Sequence, residues 1–556
     1  MLKKYLLVIL MLMVARVGAA AETVTGHVYH DVNGNGQMDA GEAGIAGVGV
    51  SNGLEVVTTD AAGSYTLPSS DDMVVFVVKP TGYATPVDAN NHPQFYYVHK
   101  PAGSPAELQR YRGLAPTGDL PTSVNFALIK ADEPTQFKAV INGDTQPYSD
   151  QEIDYVRDSF ISDVLTNQAD AKFCISMGDN VGDHLSLYPR YLATMGKMGM
   201  PVHYVPGNHD ADYDVTNSAD SYDTYKSHLG PTYYSFNYGQ VHFVILCDVD
   251  YPSPTLSTAT SKRYNGVISE RQMQWLANDL ASTPDNYLVV LNMHIPVVSD
   301  VDRTSVQHQV DNREDLYTLL AGRKVVSLGG HTHTMSTFLP GDEMEGWGQP
   351  TPIPQVIVGA ACGSWWSGPK DAAGVPVSYM RGGAPRNYLV FDFNGNDYQI
   401  SFKPTLQAAD KQMHLSFLNA KFEAWYQANT NSDASLHQSR DVMTDRNILS
   451  LSDLTDPSAV LVANVYAGST ESRVVCQWDN GMPVEAVKTL NVKDPFALLN
   501  EMLYTTSLTS AGNSTHLWTC DIPDDLAVGQ HTVAVTTTDR YGRSYTEYMA
   551  FEIAAD

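Results

Sequence analysis

The pattern of apolar and polar positions changes twice along the 556-residue chain. From residue 22 to residue 133, short runs of alternating apolar and polar residues are separated by Gly-, Asp- and Pro-containing turns, as in "TVTGHVYHD", "EVVTTDAAGSYTLP" and "MVVFVVKP". A period of two with frequent turn residues is typical of strands that bury one face. The first segment is therefore predicted to form a small all-β sandwich.

Residues 134 to 402 alternate between strand-like and helix-like patterns. Apolar runs in "KAVING", "KFCISMGD", "VHYVPGNHD", "VHFVILCD", "YLVVLNMH" and "KVVSLGGH" predict strands. Between them, "ISERQMQWLANDL" predicts a helix that begins after Ser269, with Gln272 completing a capping box. Such alternation predicts an α/β domain, here with two β-sheets flanked by helices.

The pattern is weaker from residue 403 to residue 556. Its clearest part, "HTVAVTTTDRYGRSYTEYMAFEI", predicts two strands joined by the turn at residues 539–543. We expect a second sandwich-like all-β domain there. The whole chain is thus predicted to hold a central α/β domain between two small β-sandwiches.

Charge narrows the range of partners. The chain has 62 acidic and 34 basic residues and a formal net charge of −28. A surface this acidic repels a nucleic-acid backbone, so no nucleic-acid partner is expected. A small anionic substrate still fits if bound cations reverse the local charge.

The first residues are typical of an export signal. A basic start, an apolar run over residues 5–14 and small residues at 19–21 predict a signal peptide over residues 1–21 and a periplasmic or secreted protein. No transmembrane segment is expected in the mature chain. Cys476 and Cys520 lie in the last β-rich segment. Such a compartment permits a disulfide between them, and the sequence leaves open whether it forms.

The segment "DVNGNGQMDAGE" matches a twelve-residue calcium-loop pattern in full. Its oxygen-bearing side chains predict a structural calcium site, with Gly36 allowing the sharp turn. The alternative is an ion-free hairpin turn rich in Gly and Asn. The candidate calcium ligands are Asp31, Asn33, Asn35, Gln37, Asp39 and Glu42.

Five polar clusters in the middle domain each follow a strand-like run. They are "NGDTQ", "MGDNVGD", "GNHD", "NMHIP" and "GGHTH". Together they bring about seven oxygen and nitrogen ligands to what is predicted to be one edge of a sheet, which is roughly what two divalent cations need. Glycines at 178, 207 and 330 precede three of the clusters and are expected to let the backbone turn sharply.

These clusters resemble the motif blocks of the calcineurin-like metallophosphoesterase family, and the flanking segments resemble modules of an exported bacterial subgroup. The resemblance implies a hydrolase that cleaves phosphomono- or phosphodiesters through a metal-bridging hydroxide. It implies that Asp144, Gln146, Asp179 and His333 hold one metal. Asp179 would bridge to a second metal held by Asn208, His294 and His331, and His209 would contact the phosphate and protonate the leaving group.

The chain departs from the family pattern at two points. Gln146 replaces a histidine, and its harder amide oxygen favours Mn²⁺, with Fe, Zn or Mg as other options. The carboxylate that usually orients the catalytic histidine would fall on Gly182. Either Asp183 or Asp210 is left to take over that role.

The substrate pocket is less clearly marked. Trp365 and Trp366 are candidates to line it, and Arg381 and Arg386 to bind phosphate, with aromatic packing between domains as the alternative. The substrate is expected to be a phosphorylated small molecule, lipid or glycan. The alternative function is a catalytically silent protein of the cell envelope that binds phosphorylated ligands on the same fold.

Overall fold

The computed structural model describes residues 22–105, 110–253, 264–342, 351–430, 435, 445–490, 492–503 and 510–555. The predicted signal peptide lies outside these residues. Within the described ranges, none of the helices combines the length and apolar character that crossing a bilayer requires.

The N-terminal segment folds as two four-stranded sheets, as its alternating pattern predicts. The sheets have the strand orders β4-β1-β8-β6 and β3-β2-β5-β7. Alternate side chains are buried along most of Thr23–His30 and along Ser64–Pro68, which is the physical origin of the period of two. The strands are β1 Thr23–His30, β2 Gly49–Ser51, β3 Val56–Thr58, β4 Ser64–Pro68, β5 Met73–Val78, β6 Tyr83–Ala84, β7 Tyr96–His99 and β8 Phe126–Lys130.

The middle of the chain contains two larger sheets. The first has the order β11-β10-β9-β20-β21 and the second the order β12-β13-β16-β17-β19-β18. The strands are β9 Gln136–Asn142, β10 Phe173–Ser176, β11 Val202–Tyr204, β12 Tyr234–Tyr238, β13 Val241–Ile245, β14 Val249–Asp250, β15 Asn265–Gly266, β16 Leu288–Asn292, β17 Lys324–Gly329, β18 Met335–Phe338, β19 Gln355–Val358, β20 Asn387–Asn394 and β21 Asp397–Pro404. All six predicted strands form, and within each sheet the ones that pair do so in parallel.

Aromatic rings fill the space between these two sheets. Phe243, which is fully buried, lies with ring centroids 4.9 Å from Phe236, 5.1 Å from Phe173 and 5.5 Å from Phe393. Burial of these large apolar surfaces holds the two sheets together.

Helices connect the strands of the middle domain. They are α1 Asp150–Val156, α2 Ser162–Asn167, α3 Tyr188–Met195, α4 Asp223–Leu229, α5 Glu270–Ser282 and α6 Arg313–Leu320. A π-helical turn, Arg157–Ile161, joins α1 to α2. The helix after Ser269 is confirmed, since the Ser269 hydroxyl accepts from the Gln272 amide. The Gln272 side chain does not complete the box, because it hydrogen-bonds both backbone polar groups of Cys247 instead.

The C-terminal segment is a sandwich of two sheets, with the orders β22-β24-β30-β27 and β23-β32-β31-β25-β26. The strands are β22 Met413–Leu418, β23 Ile448–Ser450, β24 Val460–Val465, β25 Arg473–Trp478, β26 Val484–Glu485, β27 Val487–Thr489, β28 Val492–Lys493, β29 Asn513–Ser514, β30 Leu517–Asp521, β31 Gly529–Thr538 and β32 Ser544–Ala554. Two helices, α7 Ala420–Thr430 and α8 Pro495–Leu503, were not expected from the sequence. Cys476 and Cys520 are buried free thiols on facing sheets and contact one another.

Candidate metal centre

The five polar clusters all follow the strands that were predicted to precede them. Three follow β9, β10 and β11 of the first sheet, and two follow β16 and β17 of the second. The prediction of a single sheet edge is therefore wrong, because an apolar run does not reveal which strands it pairs with. Parallel pairing within each sheet brings all five carboxyl ends to one side of the domain.

The backbone of these loops is held in an unusual conformation. Non-glycine residues in the left-handed region cost energy and are concentrated at functional sites. Eight of the twelve such residues in the described part of the chain belong to the site or lie next to it. They are Asp144, Gln146, Asp179, Asp183, His331, His333, Trp365 and Trp366.

The three glycines act mainly by allowing close approach. Gly178 has a φ of +92°, as its predicted turn requires. Gly207 and Gly330 do not have a positive φ, so a left-handed conformation is not what requires glycine at these two positions. A Cβ at Gly207 would lie 2.1 Å from the Asp179 amide nitrogen, and one at Gly330 would lie 2.6 Å from Asp144 Oδ2.

Three candidate ligands converge on the Nε2 atom of a fourth, His294. This atom lies 3.1 Å from Asn208 Oδ1, 3.2 Å from Asp179 Oδ2 and 3.2 Å from His331 Nδ1. Ligand atoms about 2.1 Å from one ion lie about 3.0 to 3.4 Å apart in octahedral or tetrahedral geometry. Asp179, His294 and His331 also form a group whose donor atoms all lie within 4.8 Å of one another. These four side chains fit a single divalent cation.

The other candidate ligands form a second group, one member of which also contacts Asp179. His333 Nε2 is 3.6 Å from Asp144 Oδ1, and Gln146 Nε2 is 3.4 Å from Asp179 Oδ2. The Gln146 Oε1 atom is buried and has no hydrogen-bond partner among the described residues. A buried acceptor without a partner costs free energy, and a cation removes that cost. This group fits a second cation, with Asp179 common to both.

Each of the three ligand histidines places its other ring nitrogen against a backbone carbonyl. The His294, His331 and His333 rings lie 2.9, 2.9 and 2.6 Å from the carbonyls of Met177, Gln307 and Gly363. Because a carbonyl only accepts, the facing nitrogen carries a hydrogen, which leaves the other nitrogen of each ring as the one that can bind a metal. Such carbonyl contacts are typical of metal-binding histidines.

The charges of the buried groups also favour binding of a cation. Burial raises the pKa of Asp144 to about 8, with the neighbouring Asp179 carboxylate adding to the effect. Burial would also raise the pKa of Asp179 and lower that of His294. Their mutual attraction outweighs both effects, so the Asp179 pKa falls and the His294 pKa rises to about 10. The site thus favours positive charge between these carboxylates.

His209 lies beside these groups and is oriented by Asp183. Its Nδ1 atom is 2.6 Å from Asp183 Oδ1, while its Nε2 atom is 3.9 Å from Asp179 Oδ2. Asp210 is fully buried and instead accepts from Gly207 N and from the Tyr188 hydroxyl. Of the two carboxylates that the sequence left open, Asp183 is the one that contacts the histidine.

The four candidate substrate residues separate into two kinds. Trp366 and Arg386 are buried: the indole donates to Thr145 O, and the guanidinium lies over the Trp366 ring and beside Asp371. They support the loop from inside. Trp365 is 38% exposed and stacks on the His333 ring at 4.3 Å, so it borders the site.

Arg381 lies on another side of the site. It interacts electrostatically with His308, whose ring is 5.4 Å from the ring of His331.

His308 and the half-buried Tyr148 were not singled out in the sequence, because neither falls in a motif. Their positions follow from loops that only the fold brings together.

The calcium-type loop closes on itself. It follows β1, and the His30 amide donates to Ala43 O, which brings the loop back alongside the strand. Asp31 accepts from the amides of Gly34, Asn35 and Gly36. Asp39 Oδ2 accepts from the Asn33 and Asn35 side chains, and Glu42 accepts from the Val32 and Asp39 amides. Gln37 donates its backbone amide to Asn35 Oδ1.

Comparison with known protein families identifies the family of this chain independently of the site geometry. The family profile described as calcineurin-like phosphoesterase matches residues 138–335. The profiles for the N terminal and C terminal of calcineurin-like phosphoesterase match residues 32–111 and 356–545. The chain belongs to the calcineurin-like phosphoesterases. The family and the fold class expected from the motifs are thereby confirmed.

Individual relatives are more distant. A probable glycerophosphodiester phosphodiesterase, GpdQ, of Arcobacter nitrofigilis is 27% identical over 157 residues. The match covers 27% of this chain and 52% of that protein, so the chain spans about half the length of this relative.

Two solved structures were also compared. Purple acid phosphatase PPD1 from yellow lupin (Lupinus luteus) seeds is 11% identical, with a TM-score of 0.36 and coverage of 69% of this chain and 66% of the other. PhoD is 12% identical, with a TM-score of 0.35 and coverage of 69% and 85%.

Proposed function

We propose that this calcineurin-like phosphoesterase hydrolyses phosphoesters at a centre of two divalent cations, and that its preferred bond is a phosphodiester. The observation that carries the proposal is the convergence of Asp179, Asn208 and His331 on His294 Nε2, at spacings of 3.1 to 3.2 Å. The name of the Arcobacter relative supports the diester.

The residues divide the chemical work between binding and proton transfer. When bound, two divalent cations acidify a water molecule and neutralise charge on the phosphoryl oxygens. His209 donates a proton from Nε2 to the departing oxygen, because that nitrogen faces the centre. Asp183 holds the opposite nitrogen and so keeps the ring in this orientation.

The test is a panel of phosphomonoesters, phosphodiesters and pyrophosphates assayed with added Mn²⁺. We expect turnover of diesters to exceed that of the other classes. Faster monoester turnover would reject the diester preference, and bound metal without turnover of any ester would favour a silent binding protein. Extending the panel to lipid and glycan phosphoesters addresses the substrate class.

We propose Mn²⁺ as the activating ion. The support is Gln146, whose unpartnered amide oxygen is a harder ligand than an imidazole. Replacing it by histidine, Gln146→His, should shift the best activator away from Mn²⁺. A metal-activation profile identical to that of the unsubstituted chain would contradict this assignment.

Export of the protein is also proposed, from the signal-like residues 1–21. Cell fractionation with N-terminal sequencing tests it. A mature protein outside the cytoplasm that begins near residue 22 is expected, and an uncleaved cytoplasmic chain would contradict it.

Calcium is proposed to bind the loop from Asp31 to Glu42. The support is the full pattern match together with the loop's single buried carboxylate, Asp31, against which three backbone amides point. Calcium at a hundred- to thousand-fold excess over Kd would add about 3 to 4 kcal/mol of stability. Calorimetry of the full chain, depleted of calcium beforehand and then scanned with and without added calcium in buffer containing Mn²⁺ to keep the other centre loaded, should show this difference. A melting curve unaffected by calcium removal would exclude the site.

A further inference from the structure

Tyr148 lies two residues after Gln146 and faces the metal centre. Its hydroxyl oxygen is 3.3 Å from Gln146 Nε2 and 3.5 Å from His209 Nδ1. No motif of the chain contains this residue, and its side chain is only partly buried. By these two distances, Tyr148 contacts both a candidate metal ligand and the candidate proton donor.

The side chain of Gln146 poses a problem that a histidine in its place would not. A carboxamide ends in one acceptor and one donor, and only the oxygen binds a cation. If the amide rotated by half a turn, its NH₂ group would face the cation and the ligand would be lost. Some neighbouring group must therefore distinguish the two ends.

The contacts around Gln146 show which groups do so. Nε2 donates to Tyr148 and to Asp179 Oδ2, whereas Oε1 is buried without a partner among the described residues. Asp179 is itself a candidate ligand of both ions, and its lone pairs are then needed by them. The Tyr148 hydroxyl is the acceptor that remains for Nε2.

We propose that Tyr148 is a positioning residue that fixes the orientation of the Gln146 amide, so that its oxygen faces the metal. The inference rests on the two-cation centre of the proposed function. It assigns the tyrosine no direct contact with the ion.

The place of the phenol ring is itself determined by the backbone around it. A Cβ at Gly182 would lie 2.6 Å from carbons of the Tyr148 ring, so the ring occupies the space beside this glycine. The Tyr148 amide also donates to Glu152 Oε2. The close packing therefore accommodates the tyrosine beside Gly182, while the next residue, Asp183, contacts His209.

The direct test is manganese titration of the Tyr148→Phe protein by calorimetry, in the absence of substrate. The ring remains over Gly182 in this variant, and only the hydroxyl is lost. We expect one of the two manganese-binding events to weaken about 10- to 100-fold, which is usual for loss of a partner behind a metal ligand, and the other to change little.

A second background makes the test specific to the amide. In Gln146→Glu the two terminal atoms are equivalent oxygens, so there is no orientation to fix. Adding Tyr148→Phe to Gln146→Glu should therefore weaken manganese binding much less than it does in the unsubstituted chain. This double-mutant comparison isolates the coupling between the two side chains.

Tyr155→Phe is the matched control. Tyr155 is also partly buried and contacts the Trp366 ring, but it does not contact Gln146. It should bind both ions as the unsubstituted chain does. Circular dichroism and melting curves check that all variants are folded.

Several outcomes would overturn the inference. One is a Tyr148→Phe protein with both manganese affinities unchanged. Another is an equal loss on adding Tyr148→Phe to the unsubstituted chain and to the Gln146→Glu variant. An unsubstituted chain that binds no manganese would overturn both this inference and the proposed function. Full binding without ester hydrolysis would contradict the proposed function alone and leave the role of Tyr148 supported.

Discussion

The two ring nitrogens of His209 face different partners. A substitution at this residue can therefore separate proton donation from metal binding. Nδ1 contacts Asp183 at 2.6 Å, and Nε2 faces the metal ligands without lying in their closest group. A proton donor in this position acts on the leaving group and does not hold the metal.

His209→Ala should therefore keep both metals and lose activity in a way that depends on the leaving group. An alkoxide needs protonation, so alkyl esters should lose about 10² to 10⁴ in rate, whereas an activated nitrophenyl ester should lose much less. Elemental analysis and kcat on both substrates measure this. Equal losses with metals intact would reject the proton-donor role, and loss of metal would show that His209 is a ligand.

Asp179 provides the complementary test, because it is common to both groups of ligands. Asp179→Asn should lower bound metal and abolish turnover, since a neutral amide supplies one oxygen where the carboxylate supplies two. Elemental analysis that finds two full equivalents of metal in an active variant would contradict the bridging role.

Asp183 and Asp210 form a matched pair for the orienting role. Asp183→Asn should lower kcat with little change in the melting temperature, because the side chain is partly exposed and contacts His209. Asp210→Asn should lower the melting temperature, because it replaces a fully buried acceptor of several hydrogen bonds with a group that is half donor. Loss of activity without loss of stability in Asp210→Asn alone would reverse the assignment.

At the scale of single elements, the central sandwich depends on the aromatic rings between its sheets. Phe243→Ala removes a fully buried ring that lies near Phe236, Phe173 and Phe393. We expect a loss of about 3 to 5 kcal/mol in the free energy of unfolding, measured by denaturant titration. Val487→Ala, at a 69% exposed position, is the control and should change stability little.

The strands of the middle domain were predictable because each is a short apolar run that ends in turn residues, as in Val241–Ile245. The residues after them were predictable as candidate ligands because metal chemistry restricts the residue types that bind divalent cations. Which strands pair was not predictable, since an apolar run records burial and not its neighbour. Helices α7 and α8 were not predicted, because their helical patterns were not recognised among the strand-like segments. Tyr148 was not predicted as a site residue, because it acts through space and no sequence pattern marks such a residue.

At the scale of the whole molecule, a buried ionic network joins the N-terminal segment to the middle domain. Lys100 lies 2.6 Å from Asp220 and 2.5 Å from Asp223, which begins α4. Lys226 binds the same Asp223 carboxylate at 2.6 Å. The group Asp72, Asp220 and Asp223 resembles a metal site in composition, but these two ammonium groups already supply its positive charge.

Removing one cation of this network should be costly. Lys100→Met leaves Asp220 and Asp223 with one partner fewer in a buried place, and we expect a loss of about 3 to 5 kcal/mol in unfolding free energy. Lys138→Met is the control, because the Lys138–Asp170 pair is largely exposed and should contribute at most about 1 kcal/mol. Equal effects of the two substitutions would show that the network does not tie the segments together.

The C-terminal segment contacts the first sheet of the middle domain at the edge strand of that sheet, β21. That strand pairs with β20 on one side only. On its open side, Arg543 donates to Ile400 O and to the Ser401 hydroxyl, and Gln412 donates to Phe402 O. A chain cut after residue 404 would expose these carbonyls, and an open strand edge recruits further strands from other molecules. The C-terminal sandwich thus covers an open edge of the middle domain, and we expect a middle domain truncated after residue 404 to form soluble oligomers or aggregates in light scattering where the full chain does not.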